Sequence, residues 1–235
     1  LAHFYGTAAA APLSSPPMTA DLDYSDGAAY AFSLTGGYAR LFADSGGAFN
    51  NDTECVNGPR GNAADHLTKD VVPFMTADFG VSNDPANWGV VGWSMGGTCA
   101  LDLTAMHPDL FSSFVDIAGD LAPNAGTKAQ TVARLFGGNA AAWSAYDPAT
   151  VITKHGRYQG VSGWFAVNGG PGTQPPRPRN VAVENAANAS GYLVGVGKPS
   201  DQTTAANTLC ALGTANGIRC AVVAQPGKHD WPFAS

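Results

Sequence analysis

A chain of 235 residues is long enough to bury one sizeable α/β core, and 45% hydrophobic against 13% charged residues is a globular composition that excludes a disordered or fibrous chain. The formal charge of −6, with only 12 Lys and Arg and no cluster of them, argues against nucleic acid and against an electrostatic membrane contact as partners. No run of about eighteen apolar residues is present, so no membrane span is expected in this chain.

Residues 1–37 are rich in Ala, Pro, Ser and Gly, and only 30–34 hints at a regular element. The opening Leu1, Ala2, His3, Phe4 reads as protein interior with no basic leader before it, so a segment upstream is expected to have been removed. Residues 38–44 are a candidate strand ended by Ser45, Gly46 and Gly47, and 50–61 are loop chemistry. Over 63–79, Leu67, Val71, Met75 and Phe79 recur at steps of four, which predicts an amphipathic helix that Pro73 should kink.

Residues 88–92 are a short apolar strand. Residues 95–107 then carry Cys99, Ala100, Leu103 and Met106 at helical spacing before Pro108 stops them. Between the two lies Gly92, Trp93, Ser94, Met95, Gly96, a GxSxG pattern in the strand-turn-helix setting that a nucleophile elbow requires. Glycines on either side let the strained serine turn approach its neighbours, and the N–H of Met95, at the helix start, is a candidate oxyanion donor.

A third strand is predicted over 111–117, a loop over 119–126, helical pieces over 128–136 and 140–146 that could cap the site, and a fourth strand over 161–167. Four prolines and three glycines exclude regular structure from 169–178. A short helix over 180–189, a strand over 192–196, a helix over 203–212 and a last strand over 218–224 complete the chain, without internal repeats. Strand alternating with helix is the pattern of a parallel sheet in a single domain, 1–235.

A serine hydroxyl becomes a nucleophile only beside a base, and the base needs a partner that fixes its tautomer. Of the five histidines, only His229 follows the last predicted strand, where the order serine, acid, histidine places the base. Two acids compete for the third place: Asp201, after the 192–196 strand, is favoured, and Glu184 is its rival. No carboxylate stands at 168–173, where an acid following the 161–167 strand would fall.

Four cysteines, with no CxxC or Cys/His spacing for a metal, fit two disulfides. Cys55, in a loop, and Cys99, on the elbow helix, are positioned to meet, and Cys210 and Cys220 would join a helix to the next strand. Loop closure would give about 4 and about 2.7 kcal/mol respectively. Bonds of this kind belong to an exported or cell-envelope protein.

The elbow with Thr98 and Cys99, the run Met106 to Phe111, and the closing Gly227, Lys228, His229, Asp230, Trp231 resemble the esterase family that contains esterase D, S-formylglutathione hydrolase and the mycobacterial antigen 85 mycolyltransferases. The stretch Asn51 to Cys55 and the segment Asp70, Val71, Val72, Pro73, Phe74 are similar to its actinobacterial members. The resemblance covers roughly residues 40–125 and 200–235. It implies an α/β-hydrolase fold, a mostly parallel sheet with helices on both faces, and acyl-ester chemistry without cofactor or metal. Ser94 would be the nucleophile and His229 the base, acting on a small-molecule or lipid ester, including cell-envelope lipids or glycolipids.

The sequence departs from that family at the early strand whose His-Gly turn supplies the second oxyanion N–H. Only His3, Phe4, Tyr5, Gly6 remotely resembles it, and the strands upstream are expected to be missing. Loss of one such donor costs about 10² to 10³ in rate. The family also contains members without a working triad that serve as binding proteins, so a carbohydrate- or matrix-binding protein on the same fold is the alternative to a serine esterase or acyltransferase.

Overall fold

A computed structural model describes residues 2–7, 31–35, 38–43, 52–168, 199–229 and 233. Seven strands form the main sheet: β1 (Ala2–Thr7), β2 (Ala31–Thr35), β3 (Tyr38–Ala43), then, after a minimal hairpin of β4 (Asn57–Gly58) and β5 (Gly61–Asn62), β6 (Trp88–Trp93), β7 (Ser113–Ile117), β8 (Ser162–Asn168) and β9 (Arg219–Gln225). Their order is β2-β3-β1-β6-β7-β8-β9. The last four run parallel, with Val91 beside Val115, Val115 beside Trp164 and Trp164 beside Ala221. β1 is antiparallel to both β3 and β6.

Three strands precede the elbow strand in this chain, and β1 corrects the view of residues 1–37 as nearly featureless. Ala2–Thr7 carries two aromatic residues in a short run, and only the two residues Gly36 and Gly37 separate β2 from β3, a strong hairpin signal. His3 and Gly6 lie inside β1 with Gly6 opposite Trp88, at the end of β6 remote from Ser94. The His3-to-Gly6 segment therefore forms no oxyanion turn. β3 ends at Ala43 on the elbow side of the sheet, since Ala43 pairs with Ala2 and Ala2 with Gly92.

The helix predicted over 63–79 is present as Ala63–Asp65, a π-helical stretch His66–Val71 and Val72–Phe79. Pro73 cannot donate to the preceding turn and its ring crowds the carbonyl four residues back, and the helix answers with wider winding just upstream. The elbow helix, Met95–Met106, is buried almost all round from Gly96 to Ala105. That suits its composition: an apolar helix without a polar face belongs in the core.

The elbow helix packs on β6 and β7, the C-terminal helix Pro199–Ala215 packs on β8 and β9, and Pro148–His155 contacts both helices. Pro148–His155 starts where Asp147 caps Thr150 and Pro148 occupies the first turn, both start signals. Phe111, Phe114, Phe165, Leu209 and Ile218 lie in the main core. Each such side chain contributes about 1.5 to 3 kcal/mol on burial. Lys128–Phe136 and Ala140–Ser144 sit on a second small core of Val56, Ala125, Leu135 and Phe136.

Both disulfides join the pairs expected, Cys55 to Cys99 and Cys210 to Cys220, across 44 and 10 residues. Alkylation without reductant should leave the intact mass unchanged. Four alkylated cysteines would contradict both bonds. Cys99→Ala should cost about 4 kcal/mol, measurable as a shift in the urea midpoint. Among the described residues no helix is long and apolar enough to cross a membrane.

Candidate active site

Ser94 sits between β6 and the elbow helix at φ 58, ψ −121, a conformation that costs a residue with a β carbon about 1 to 3 kcal/mol. Three contacts hold it there. Its N–H donates to Ile117 O at 2.8 Å, and its carbonyl accepts from Gly97 N at 2.8 Å and Thr98 N at 3.2 Å. Gly92 is required because a β carbon there would lie 1.8 Å from Gly96 O, inside the backbone of the turn. Met95 is the first helical residue, so its N–H has no intrahelical acceptor to satisfy and faces the helix entrance.

His229 lies four residues beyond the end of β9, and its Nε2 is 2.8 Å from Ser94 Oγ. Trp93 packs against its ring, with centroids 5.0 Å apart and planes at 31°. The hydroxyl and the imidazole, 135 residues apart in sequence, are within hydrogen-bonding reach, the first requirement for proton transfer between them.

Asp201 is placed differently from the expectation. It lies not in a loop before a helix starting at 203 but in the first turn of Pro199–Ala215. Pro199 explains the early start, since its fixed φ suits the first helical position and needs no donor. The Asp201 side chain and the whole of Glu184 lie outside the described residues, as do the predicted elements at 180–189 and 192–196. The next residue, Gln202, reaches the histidine: its Nε2 is 3.2 Å from His229 Nδ1 and 2.7 Å from Ala118 O.

Sequence reasoning missed Gln202, but a signal was present. Gln202, Ala205, Ala206 and Leu209 are all buried and follow the i, i+3, i+4, i+7 spacing of one helix face, so a glutamine opens an otherwise apolar stripe.

Beneath the elbow, Asp116 on β7 is buried and accepts from Gly119 N at 2.7 Å. Burial, opposed by that hydrogen bond and reinforced by Asp120, pushes its carboxyl up to about 7. Burial likewise raises Asp102, inside the elbow helix, and Glu54, beside the Cys55–Cys99 bond. Asp116 therefore weakens the fold as pH rises. Between the unfolded value near 3.8 and about 7 the unfolded chain gives up a proton that the native chain keeps, and the loss is complete above that window. Asp116→Asn should raise the urea midpoint at pH 8, by an amount on the order of a few kcal/mol, and leave it nearly unchanged at pH 3.5. Equal shifts at both pH values would contradict this account.

Residues 43–194 match the family described as "Putative esterase", a span that takes in the β6 strand, Ser94 and the elbow helix. The chain belongs to this esterase family. An uncharacterized protein of Corynebacterium glutamicum is 34% identical over 131 residues, which cover 53% of this chain and 30% of that protein. This esterase-family chain thus spans under a third of that relative's length. Its fold is shared with MPT51 of Mycobacterium tuberculosis, at TM-score 0.55 and 16% identity over 94% of each chain. It is also shared with an S-formylglutathione hydrolase from Agrobacterium tumefaciens, at TM-score 0.50 and 15% identity over 80% of this chain and 58% of that one. These likenesses establish the α/β-hydrolase fold.

Proposed function

We propose that this esterase-family chain is a serine carboxylesterase or acyltransferase, and the observation that carries the proposal is the 2.8 Å contact between Ser94 Oγ and His229 Nε2 on a strained elbow. Ser94 Oγ attacks the ester carbonyl carbon while His229 Nε2 takes the hydroxyl proton, and the carbonyl oxygen becomes negative beside the Met95 N–H. Collapse of the tetrahedral intermediate breaks the ester bond. The departing alcohol leaves with the proton from His229, and an acyl group remains on Ser94. Water, or a sugar hydroxyl, then attacks that acyl group with His229 again as base, and the acyl–Ser94 bond breaks as Ser94 Oγ takes that proton back from His229. Asp201 is the acid that orients His229 for this cycle.

Two disulfides support export to an oxidising compartment such as the cell envelope, and the substrate class is a small-molecule or lipid ester. Short and long nitrophenyl esters offered with and without a sugar acceptor test the reaction. Release of nitrophenol with the acyl group recovered as free acid identifies an esterase, and recovery on the sugar identifies an acyltransferase. No release with either would contradict both.

A further inference from the structure

We infer that Trp93 is a positioning residue whose indole face steadies the positive charge that His229 takes up when Ser94 gives up its proton. The inference rests on the reading of Ser94 and His229 as nucleophile and base. It begins with the direction of the last residue of β6. A β carbon on Gly92 would meet Gly96 of the elbow helix, so residue 92 faces that helix, and alternation along the strand turns Trp93 to the opposite face of the sheet. There its ring lies against the imidazole of His229, with centroids 5.0 Å apart and planes at 31°.

Rings so near to parallel, at that separation, cannot lie side by side, so their faces overlap with an offset. Neighbouring residues of the elbow thus hold two different parts of one imidazole: Ser94 Oγ is 2.8 Å from Nε2, and the Trp93 indole supports the ring plane. Gln202 approaches a third part, with its Nε2 3.2 Å from Nδ1. None of these three side chains carries a charge.

As a base the imidazole starts neutral, and a neutral ring gains only ordinary contact from the indole. Transfer of the Ser94 proton to Nε2 makes it an imidazolium, and a cation within about 6 Å of an aromatic centroid is attracted by the negative π face, most of all by that of tryptophan. The attraction is therefore stronger in the transition state than in the ground state, which is the condition for raising kcat and not only lowering KM. Position 93 is the first open position of the GxSxG pattern, where the turn itself asks for no particular side chain. Its tryptophan serves the base, not the elbow.

The test is the pH titration of the His229 ring by NMR, with the signal assigned from His229→Gln, read beside kcat and KM for nitrophenyl esters. Lys228 and Asp230 flank His229 and Asp201 adjoins Gln202, and these charges are the same in every variant at position 93. Trp93→Leu should titrate at lower pH than the wild type and lose about tenfold in kcat with KM nearly unchanged, within the range that a cation over an indole face commands. Trp93→Phe, the weaker host for a cation, should fall between the two. A Trp93→Leu ring that titrates with the wild type, or a loss carried by KM alone, would overturn the inference. If the leucine variant fails to fold, Trp93→Phe decides, and a titration at or above the wild-type pH would overturn it. The predicted order of titrations in a protein that turns over no ester would uphold the role of Trp93 and defeat the esterase reading instead.

Discussion

Ser94→Ala should lower the turnover of short nitrophenyl esters by about 10⁶, to the level that binding and oxyanion donors sustain without a nucleophile. The size follows from the elbow. Ser94 holds its Oγ 2.8 Å from the imidazole at a backbone angle, φ 58, that the Ile117, Gly97 and Thr98 contacts enforce. No water molecule would be held so closely in its place. Alanine has the same backbone cost as serine at that angle, so the urea midpoint should stay within experimental error of the wild type. Retained turnover with an intact fold would remove Ser94 from the reaction.

Asp201→Asn should lower turnover by about 10⁴, and Glu184→Gln should leave it nearly unchanged. The acid must reach Nδ1, and Gln202, near the start of the C-terminal helix, stands 3.2 Å from that nitrogen. Asp201 precedes Gln202 by one residue and is the only acid between Glu184 and His229. Without a carboxylate the ring is free to take the tautomer with its proton on Nε2, in which the serine cannot surrender its own. If the two substitutions behave the other way round, Glu184 is the acid. If neither matters, Ser94 and His229 work as a dyad.

The elbow was legible in the sequence because its requirements are local. Only glycine fits at position 92 against the Gly96 carbonyl, and an apolar run before Ser94 with helical spacing after it leaves one backbone solution. The parallel strands β6 to β9 were legible for a similar reason, each being a short apolar run bounded by turn residues. The position of His229 came from chain order, and the cysteine pairs from the elements that carry them.

What stayed hidden depends on distant partners. β1 is a single short strand in an alanine- and proline-rich region, and it is paired with β3 and β6 far along the chain. The contact of Gln202 depends on a carbonyl 84 residues away whose direction is set by a left-handed alanine, which nothing in the local sequence announces. The same holds for Asp116. An aspartate within a strand reads as an ordinary polar residue until β7 is seen to bury it beneath Gly97, where a β carbon would lie 2.4 Å from its Oδ1.

Intact-mass analysis after treatment with a fluorophosphonate, followed by peptide mapping, tests most directly whether Ser94 and His229 form a working nucleophile and base. One adduct, located on Ser94 and absent from both Ser94→Ala and His229→Gln, is the predicted result. A wild-type protein that stays unmodified, or one modified equally well without His229, would contradict it.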